Sequence, residues 1–355
     1  MQKYYLGFSL FPGIGTVFFS KLLEKFGSAQ AAWESPEEKL QAVLGEKLAR
    51  QFSAFRKNTD LAKEEEKIYK KNMQLVTWES TGYPNLLRQI KNPPFLLYVK
   101  GNVAVLSSEK IIGIVGTRKI TEYGYQVTKM LTQDLVRAGF TTVSGLAFGV
   151  DATVHTETIN STGKTIAVLG CGVDCCTPRA NQKIYDAILA SGGAIISSFK
   201  PSETATKGSF PARNAIIAGL AQAILVTEGA ADSGSLITAK DAKKFGRTVF
   251  AVPGPITSSL SKGANNLIQH GAIAVQSAAD MLDTLGIMGN RQESRQVVVQ
   301  DGEKQKIIDV LKTGPLHFDE IVRSLKKDSK EIGSLLSLME LEGLIQSTHE
   351  GRYSL

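Results

Sequence analysis

From Ile111 to about residue 285 the chain alternates short, almost wholly apolar runs with longer amphipathic ones. The apolar runs are IIGIV (111–115), TTVS (141–144), TIAVL (165–169), AIISS (194–198), AILV (223–226) and TVFAV (248–252), each of strand length. Between them, YQVTKMLTQDLVRAG and KIYDAILASGG place apolar residues at helical spacing. Strands that are apolar throughout, separated by helices, predict an α/β fold with a mostly parallel sheet and helices on both of its faces.

The flanking regions read differently. Residues 1–75 are helical in pattern: Leu22, Leu23 and Phe26 recur at helical spacing, and Trp33, Leu40, Val43 and Leu48 continue it in shorter pieces. The turn FPGIG (11–15) resembles a helix-hairpin-helix element, whose glycines let the backbone approach a phosphate; a packing module with a tight turn stays open beside it. A polar, proline-rich connector runs from Glu79 to Pro94. After a polar linker (286–303), apolar positions Ile307, Ile308 and Leu311, then Phe318, Ile321, Val322 and Leu325, then Ile332, Leu335, Leu336, Leu338, Met339 and Leu341 mark three helices ahead of a short hairpin. That order predicts a winged helix over 304–355. Its third helix carries few cations, so a protein contact is as open as DNA binding. The expected organisation is therefore 1–75, 76–285, linker 286–303 and 304–355.

In open parallel sheets ligands gather at the carboxyl ends of the strands, and here those exits are rich in glycine. GTRKITEYG (116–124), SGLAFGVD (144–151), GCGVD (170–174), TEGAADSGSLITA (227–239) and PGPITSSLSKGANNLI (253–268) each follow an apolar run. The stretch Lys207–Ala239 is the densest: Lys207, Phe210 and the pair Arg213-Asn214 precede the AILV strand, and Ser233, Gly234 and Ser235 then open a helix. A strand entering a helix through small residues is expected to present free N–H groups and a positive dipole end to an anion. Arg118 can fork onto a phosphate. Ser144 and Gly145 offer a hydroxyl and open backbone. Phe210, between Ser209 and Pro211, reads equally as core packing or as a platform for a base. Arg213 and Asn214 can contact phosphate or a base edge, or serve as structural bridge and cap.

Other chemistry finds little footing. GxGxxG is missing after the first apolar run, and GKT (163–165) lacks a glycine at Thr158 and leads into a strand instead of leaving one. His155, His270, His317 and His349 have no metal-ligand spacing. His155 is expected to face solvent, with a place in the groove as the alternative. Asp151, Asp174, Glu228 and Asp232 lie near strand exits, so paired-carboxylate catalysis is conceivable, but helix capping is the expected role of Asp151. No catalytic, metal or cofactor site is expected.

Composition adds bounds. The chain has 355 residues, 43% hydrophobic and 21% charged, enough for two or three domains with a large core. A net charge of +7 is compatible with a polyanionic partner. Cys171, Cys175 and Cys176 fall too close together for a disulfide framework and suit small buried apolar groups in a reducing cytoplasm. No apolar stretch reaches the roughly 18 residues of a membrane span, so no membrane partner is expected.

Taken in order, YPNLLRQIKNPPFLLYVKGN, GTRKITEYG, SGLAFGVD, AVLGCGVD with Pro178 and Asn181, FPARN, IIAGL, EGAADSGSLITA, VFAVPG and GANNLIQHGA resemble the DNA-processing protein A (DprA, or Smf) family over about residues 80–285. The resemblance implies a Rossmann-like domain that binds single-stranded DNA, forms a homodimer, and loads the recombinase RecA on incoming DNA during natural transformation. It assigns DNA contact to the GTR motif (Gly116, Thr117, Arg118), to Lys207, Phe210, Arg213 and Asn214, and to the Ser233-Gly234-Ser235 turn. Three positions depart from the family pattern: Ser198 in place of a glutamate, Ala215 in place of a second arginine, and Thr177 in place of a tyrosine. The competing class is a nucleoside-monophosphate phosphoribohydrolase on a related fold, but ADSGSLITA stands where those enzymes carry PGGxGT and a glutamate.

Overall fold

The computed structural model describes residues 2–287, 302–312, 314–341, 344–347 and 351–354. The chain divides into two units, Met1–Ile287 and Met288–Leu355.

The first unit begins with six helices: α1 (Gln2–Leu10), α2 (Thr16–Phe26), α3 (Ala29–Glu34), α4 (Glu37–Leu44), α5 (Glu46–Lys57) and α6 (Leu61–Lys70). Local signals set their ends. Ser28 caps α3 by accepting from the Ala31 N–H, Asp60 caps α6 by accepting from Ala62 and Lys63, and Gly27 closes α2 in the left-handed region. Their apolar faces meet in an aromatic cluster. Phe8 stacks on Phe52 with ring centroids 5.0 Å apart, and Phe19 stacks on Phe95 at 4.1 Å.

The sheet strands are β1 (Met73–Thr77), β2 (Leu96–Gly101), β3 (Ile111–Val115), β4 (Thr141–Ser144), β5 (Thr165–Val168), β6 (Ala194–Ser197), β7 (Ala223–Val226), β8 (Thr248–Ala251) and β9 (Ile273–Ala274). The intervening helices are α7 (Asn85–Arg88), α8 (Glu122–Arg137), α9 (Val150–Asn160), α10 (Gln182–Ala190), α11 (Ser209–Leu220), α12 (Ser235–Lys244), α13 (Lys262–Gln269) and α14 (Ala278–Thr284). Spatial order is β1-β2-β6-β5-β4-β3-β7-β8-β9. From β6 to β9 all pairs are parallel, whereas β1–β2 and β2–β6 are antiparallel. The six predicted strands are all present. Strands β1, β2 and β9 were not predicted; β1 and β2 flank the proline-rich connector, whose turn signals mask them.

Alternate residues feed opposite faces, as the pleat requires. Ile111, Val115, Val143, Ile166, Val168, Ile196, Ile224 and Val226 pack on α11 and α12. Ile112, Ile114, Leu225 and Phe250 meet α8, α9 and α14 through Leu131, Leu135, Val154 and Met281. Near the other edge, Tyr98, Ala167 and Ile195 share one buried cluster with the N-terminal helices and α10. Helices thus cover both faces of a Rossmann-like, mostly parallel sheet. Because β4–β6 lie on one side of β3 and β7–β9 on the other, the order in which strands are added reverses between the parallel neighbours β3 and β7, where such sheets open a ligand crevice.

The second unit holds α15 (Gly302–Leu311), β10 (Leu316–His317), α16 (Phe318–Leu325), α17 (Ser329–Leu341), β11 (Gln346–Ser347) and β12 (Arg352–Ser354). Ile307, Ile308, Leu311, Ile321, Ile332, Leu336 and Met339 form its core. Its strands pair in the order β10-β12-β11, the wing of a winged helix. The linker expected at 286–303 falls largely outside the described residues, and α15 begins inside its far end.

Candidate nucleic-acid interface

The turn after β3 separates support from contact. Gly116 lies where a Cβ would meet the Val150 side chain and the Glu228 carbonyl oxygen, so close packing of neighbouring loops demands it. Thr117 is pinned by its backbone: its N–H donates to Glu228 O (2.7 Å) and its carbonyl accepts from Val150 N–H (3.1 Å). Both are structural: Gly116 has no side chain to present, and that of Thr117 is buried. Arg118, next along, is exposed.

After β4 the expected open hydroxyl is not available. Ser144 is buried and its Oγ donates to Ile114 O (2.7 Å), because the side chain follows the strand pleat into the core. At Gly145 a Cβ would strike the Arg213 guanidinium; its lack of a side chain makes room for an arginine of this chain. Arg213 is 5% exposed and donates through Nη1 to the carbonyls of Gly145 and of Val168 (3.0 Å). It ties together the exits of β4 and β5, so of the two readings the structure favours the structural bridge. Burial depresses its pKa, against the opposing field of Asp151.

Asp151 and His155 lie beneath. Asp151 is buried, and its carboxylate accepts from Ala147 N–H (3.3 Å) instead of capping α9, whose N-cap is Gly149. Burial raises its pKa and the Arg213 charge holds it back. His155 does not face solvent: it is fully buried, its Nδ1 pairs with Thr165 Oγ1 (2.7 Å), and its Nε2 has no hydrogen-bond partner. Burial, with Arg213 adding to it, pushes its pKa down to about 3. It is a neutral core imidazole.

The start of α11 supplies the exposed chemistry. Lys207 is exposed, just ahead of the helix, and Phe210 in its first turn is half-buried. The Arg118 guanidinium carbon sits 5.2 Å from the centre of the Phe210 ring, a cation–π contact that fixes both groups in one patch. Arg118, Phe210 and Arg213 line a cleft with Gly145, Gly170 and Phe148. Its cavity is ≈ 90 Å³, well below the roughly 300 Å³ of an enclosed ligand pocket. The shape suits an extended chain lying across an open surface. No carboxylate is among the lining residues. Phe148, 48% exposed, went unselected in the sequence although it stands in a glycine-rich exit as Phe210 stands in a turn; the same aromatic signal would have found it.

The Ser233-Gly234-Ser235 turn is less open than its sequence suggests. Ser235 N–H donates to Ser233 Oγ (3.3 Å), Leu236 N–H to Ser233 O (3.0 Å) and Ile237 N–H to Gly234 O (3.2 Å). Most donors expected to be free for an anion are satisfied inside the turn. Asn214 Nδ2 donates to Gly234 O (3.2 Å), tying α11 to this turn.

Two more carboxylates near the exits are engaged, whereas Asp232 is exposed in the turn after β7. Glu228 is buried and accepts from Thr121 N–H (2.9 Å) and Thr121 Oγ1 (2.7 Å); Asp174 accepts from Ser202 and pairs with Lys71 at 3.0 Å. Cys171 is buried against the cleft, while Cys175 and Cys176 are half-buried; burial raises all three thiol pKa values, that of Cys176 to about 11. Thr177 lines the same cleft, and Ser198 and Ala215 line a second cavity on the far side of α11. Among the described residues no helix is long and apolar enough to cross a membrane.

Comparison with known proteins places this geometry. Residues 74–286 match the family described as DNA recombination-mediator protein A, and residues 292–351 match the DprA winged helix domain. The chain is 37% identical over 309 residues to Protein Smf of Synechocystis, covering 86% of this chain and 77% of that one. It is 42% identical over 206 residues to DNA processing protein DprA of Bacillus subtilis, covering 58% and 69%. The structure of DNA processing protein A from Streptococcus pneumoniae superposes with a TM-score of 0.70 at 33% identity, over 80% of this chain and 98% of the other. DNA processing protein A from Helicobacter pylori, whose structure is described for its unique single-stranded DNA binding mode, superposes at 0.54 with 31% identity, over 60% and 95%.

Proposed function

The chain belongs to the DNA recombination-mediator protein A (DprA/Smf) family, and on that premise we propose that its strand-exit cleft binds single-stranded DNA. One observation carries the reading: Arg118 and Phe210, far apart in sequence, meet as a cation beside an aromatic ring on a shallow open cleft. A strand needs cations along its phosphates and aromatic faces for its bases. Arg118 and Lys207 take phosphates, Phe210 and Phe148 stack bases, and Arg213, Gly116, Thr117, Ser144, Gly145 and Asn214 hold these groups in place. The Helicobacter pylori relative supports the choice of single strands.

In this reading the protein is not an enzyme. Glu228, Asp151 and Asp174 are committed to backbone and side-chain partners of their own, and the cleft offers no carboxylate for hydrolysis. The finer role is that of a homodimeric mediator that protects incoming strands and hands them to RecA. Replacing Arg118 and Lys207 together by alanine is expected to weaken oligonucleotide binding and to lower the slope of log affinity against log salt by about 1.4, roughly 0.7 for each lost phosphate contact. Unchanged affinity and slope would remove the site assignment. RecA filament assembly on strands coated with single-strand binding protein tests the handover; no acceleration by the wild-type protein would sink it.

A further inference from the structure

Helix α11 has two working faces. Phe210 and Arg213 point one way, toward the cleft, while Ala212, Ala215 and Ile216 lie on the opposite side at 100° per residue. That second side borders a solvent-open cavity of ≈ 330 Å³, larger than the cleft and bounded by α11, the start of α2, the start of β2 and the exit of β6, with Gly15, Asn92 and Ala212 exposed at its rim. None of its lining side chains is ionisable. Its apolar wall includes Phe95, Ala212 and Ala215, and its polar groups are the Ser9, Thr16 and Ser198 hydroxyls and the Asn92 amide, with Ser9 Oγ already donating to Leu6 O (2.7 Å). The short side chains Ala212, Ala215 and Ser198 are what leave the space empty.

We propose that this cavity takes a nucleobase of the same strand that occupies the cleft, a second base site beyond it; the inference rests on the single-strand reading above. The lining offers no cation to pair with a phosphate or carboxylate, so nothing in it favours an anion over a neutral base. Hydroxyls and an amide can both donate and accept, as the polar edges of a base require, and the apolar wall suits its faces. The volume falls within the range of small-molecule pockets. Continuity comes from α11 itself: crossing a helix of roughly 10–12 Å takes about three nucleotides at a stacked rise of about 3.4 Å. The crossing edge is the helix start, where Lys207 is exposed. Helix α2 enters the cavity rim at Gly15 and Thr16 without a side-chain cap, which leaves N–H groups for the phosphate outside.

The test plugs the cavity and leaves the cleft cations alone. Gly15 has a φ of −87° and a Cβ there would meet nothing within 4 Å, so Gly15→Leu fits the backbone, and Ala212→Phe fills the other wall. In the full chain, oligothymidylates of about four and about twelve nucleotides are titrated, and 5-iodouracil is scanned along the longer one for photocrosslinks. The plugged variants are expected to bind the short strand as wild type does and the long strand about tenfold more weakly, the loss of one stacked base. Wild type is expected to crosslink within Asn92–Leu96 at one strand position. Full long-strand affinity in both plugged variants, with no crosslink to that segment in wild type, overturns the second site. Short-strand binding that survives Arg118→Ala with Lys207→Ala overturns the cleft reading instead, so the two failures are separate.

Discussion

At the scale of single residues, the two arginines of the cleft show how one side-chain type divides its work by depth. Arg118 stays exposed with its guanidinium over the Phe210 ring, while Arg213 commits Nη1 to the Gly145 and Val168 carbonyls. Nothing in GTR or FPARN distinguishes them, because burial depends on which carbonyls converge from distant strands. His155 makes the same point with a measurable consequence. Its folded-state pKa is depressed to about 3 against 6.5 for the free side chain. Between those values the unfolded chain binds a proton that the folded chain refuses, so stability falls as pH drops through the unfolded value. From pH 7 to pH 5 the loss assigned to His155 is about 2 kcal/mol. Urea unfolding of wild type and of His155→Gln at both pH values reads the difference. An equal pH dependence in the two proteins would place a charged or exposed imidazole there.

At the scale of elements, the exits are built from loops that lock onto one another. Gly149, the N-cap of α9, has φ 70° and ψ −124°, and a Cβ there would press on the Thr117 and Arg118 carbonyl oxygens. Gly149→Ala is therefore expected to cost about 2–3 kcal/mol, strain and displacement together, and to move the Arg118 turn enough to weaken strand binding. Denaturant unfolding and oligonucleotide titration of this variant read the two effects; wild-type values in both would show that the turn tolerates a side chain. The elements themselves were legible where apolar runs were uninterrupted, since every strand from β3 to β8 announces itself in composition. Strands β1 and β2 were not, because one ends in a connector rich in proline and the other emerges from it. The glycine-rich exits were legible as special places, but not for the right reason at Gly116, where neighbouring exits pack closely, or at Gly145, where the Arg213 guanidinium of α11 fills the space. The start of α12 was misread in the same way: its small residues close hydrogen bonds on themselves. Of the candidate contacts, Lys207, Phe210 and Arg118 stay at the surface, and sequence alone could not separate them from their buried neighbours.

At the scale of the whole molecule, every residue of the three clusters that hold the sheet together lies before residue 288, and the winged helix has a core of its own. The cleft and the second cavity are also lined wholly from the first unit. Among the described residues the clusters and cavities of each unit draw on that unit alone, and separate parts contribute independently, within about 0.5 kcal/mol. A chain ending at Ile287 is therefore expected to unfold cooperatively and to bind a short single-stranded oligonucleotide within about twofold of the full-length protein. Far-ultraviolet circular dichroism through a urea titration checks the first expectation, and fluorescence anisotropy at two salt concentrations checks the second. The salt slope is the sharper measure, because it counts phosphates engaged and not overall tightness. If the shortened chain keeps its fold but loses slope, cations of the winged helix hold part of the strand, and the cleft is only half of the path. If affinity and slope both survive, the winged helix is left free for the protein contact that its cation-poor third helix suggests, and loss of double-strand binding on truncation would return it to DNA.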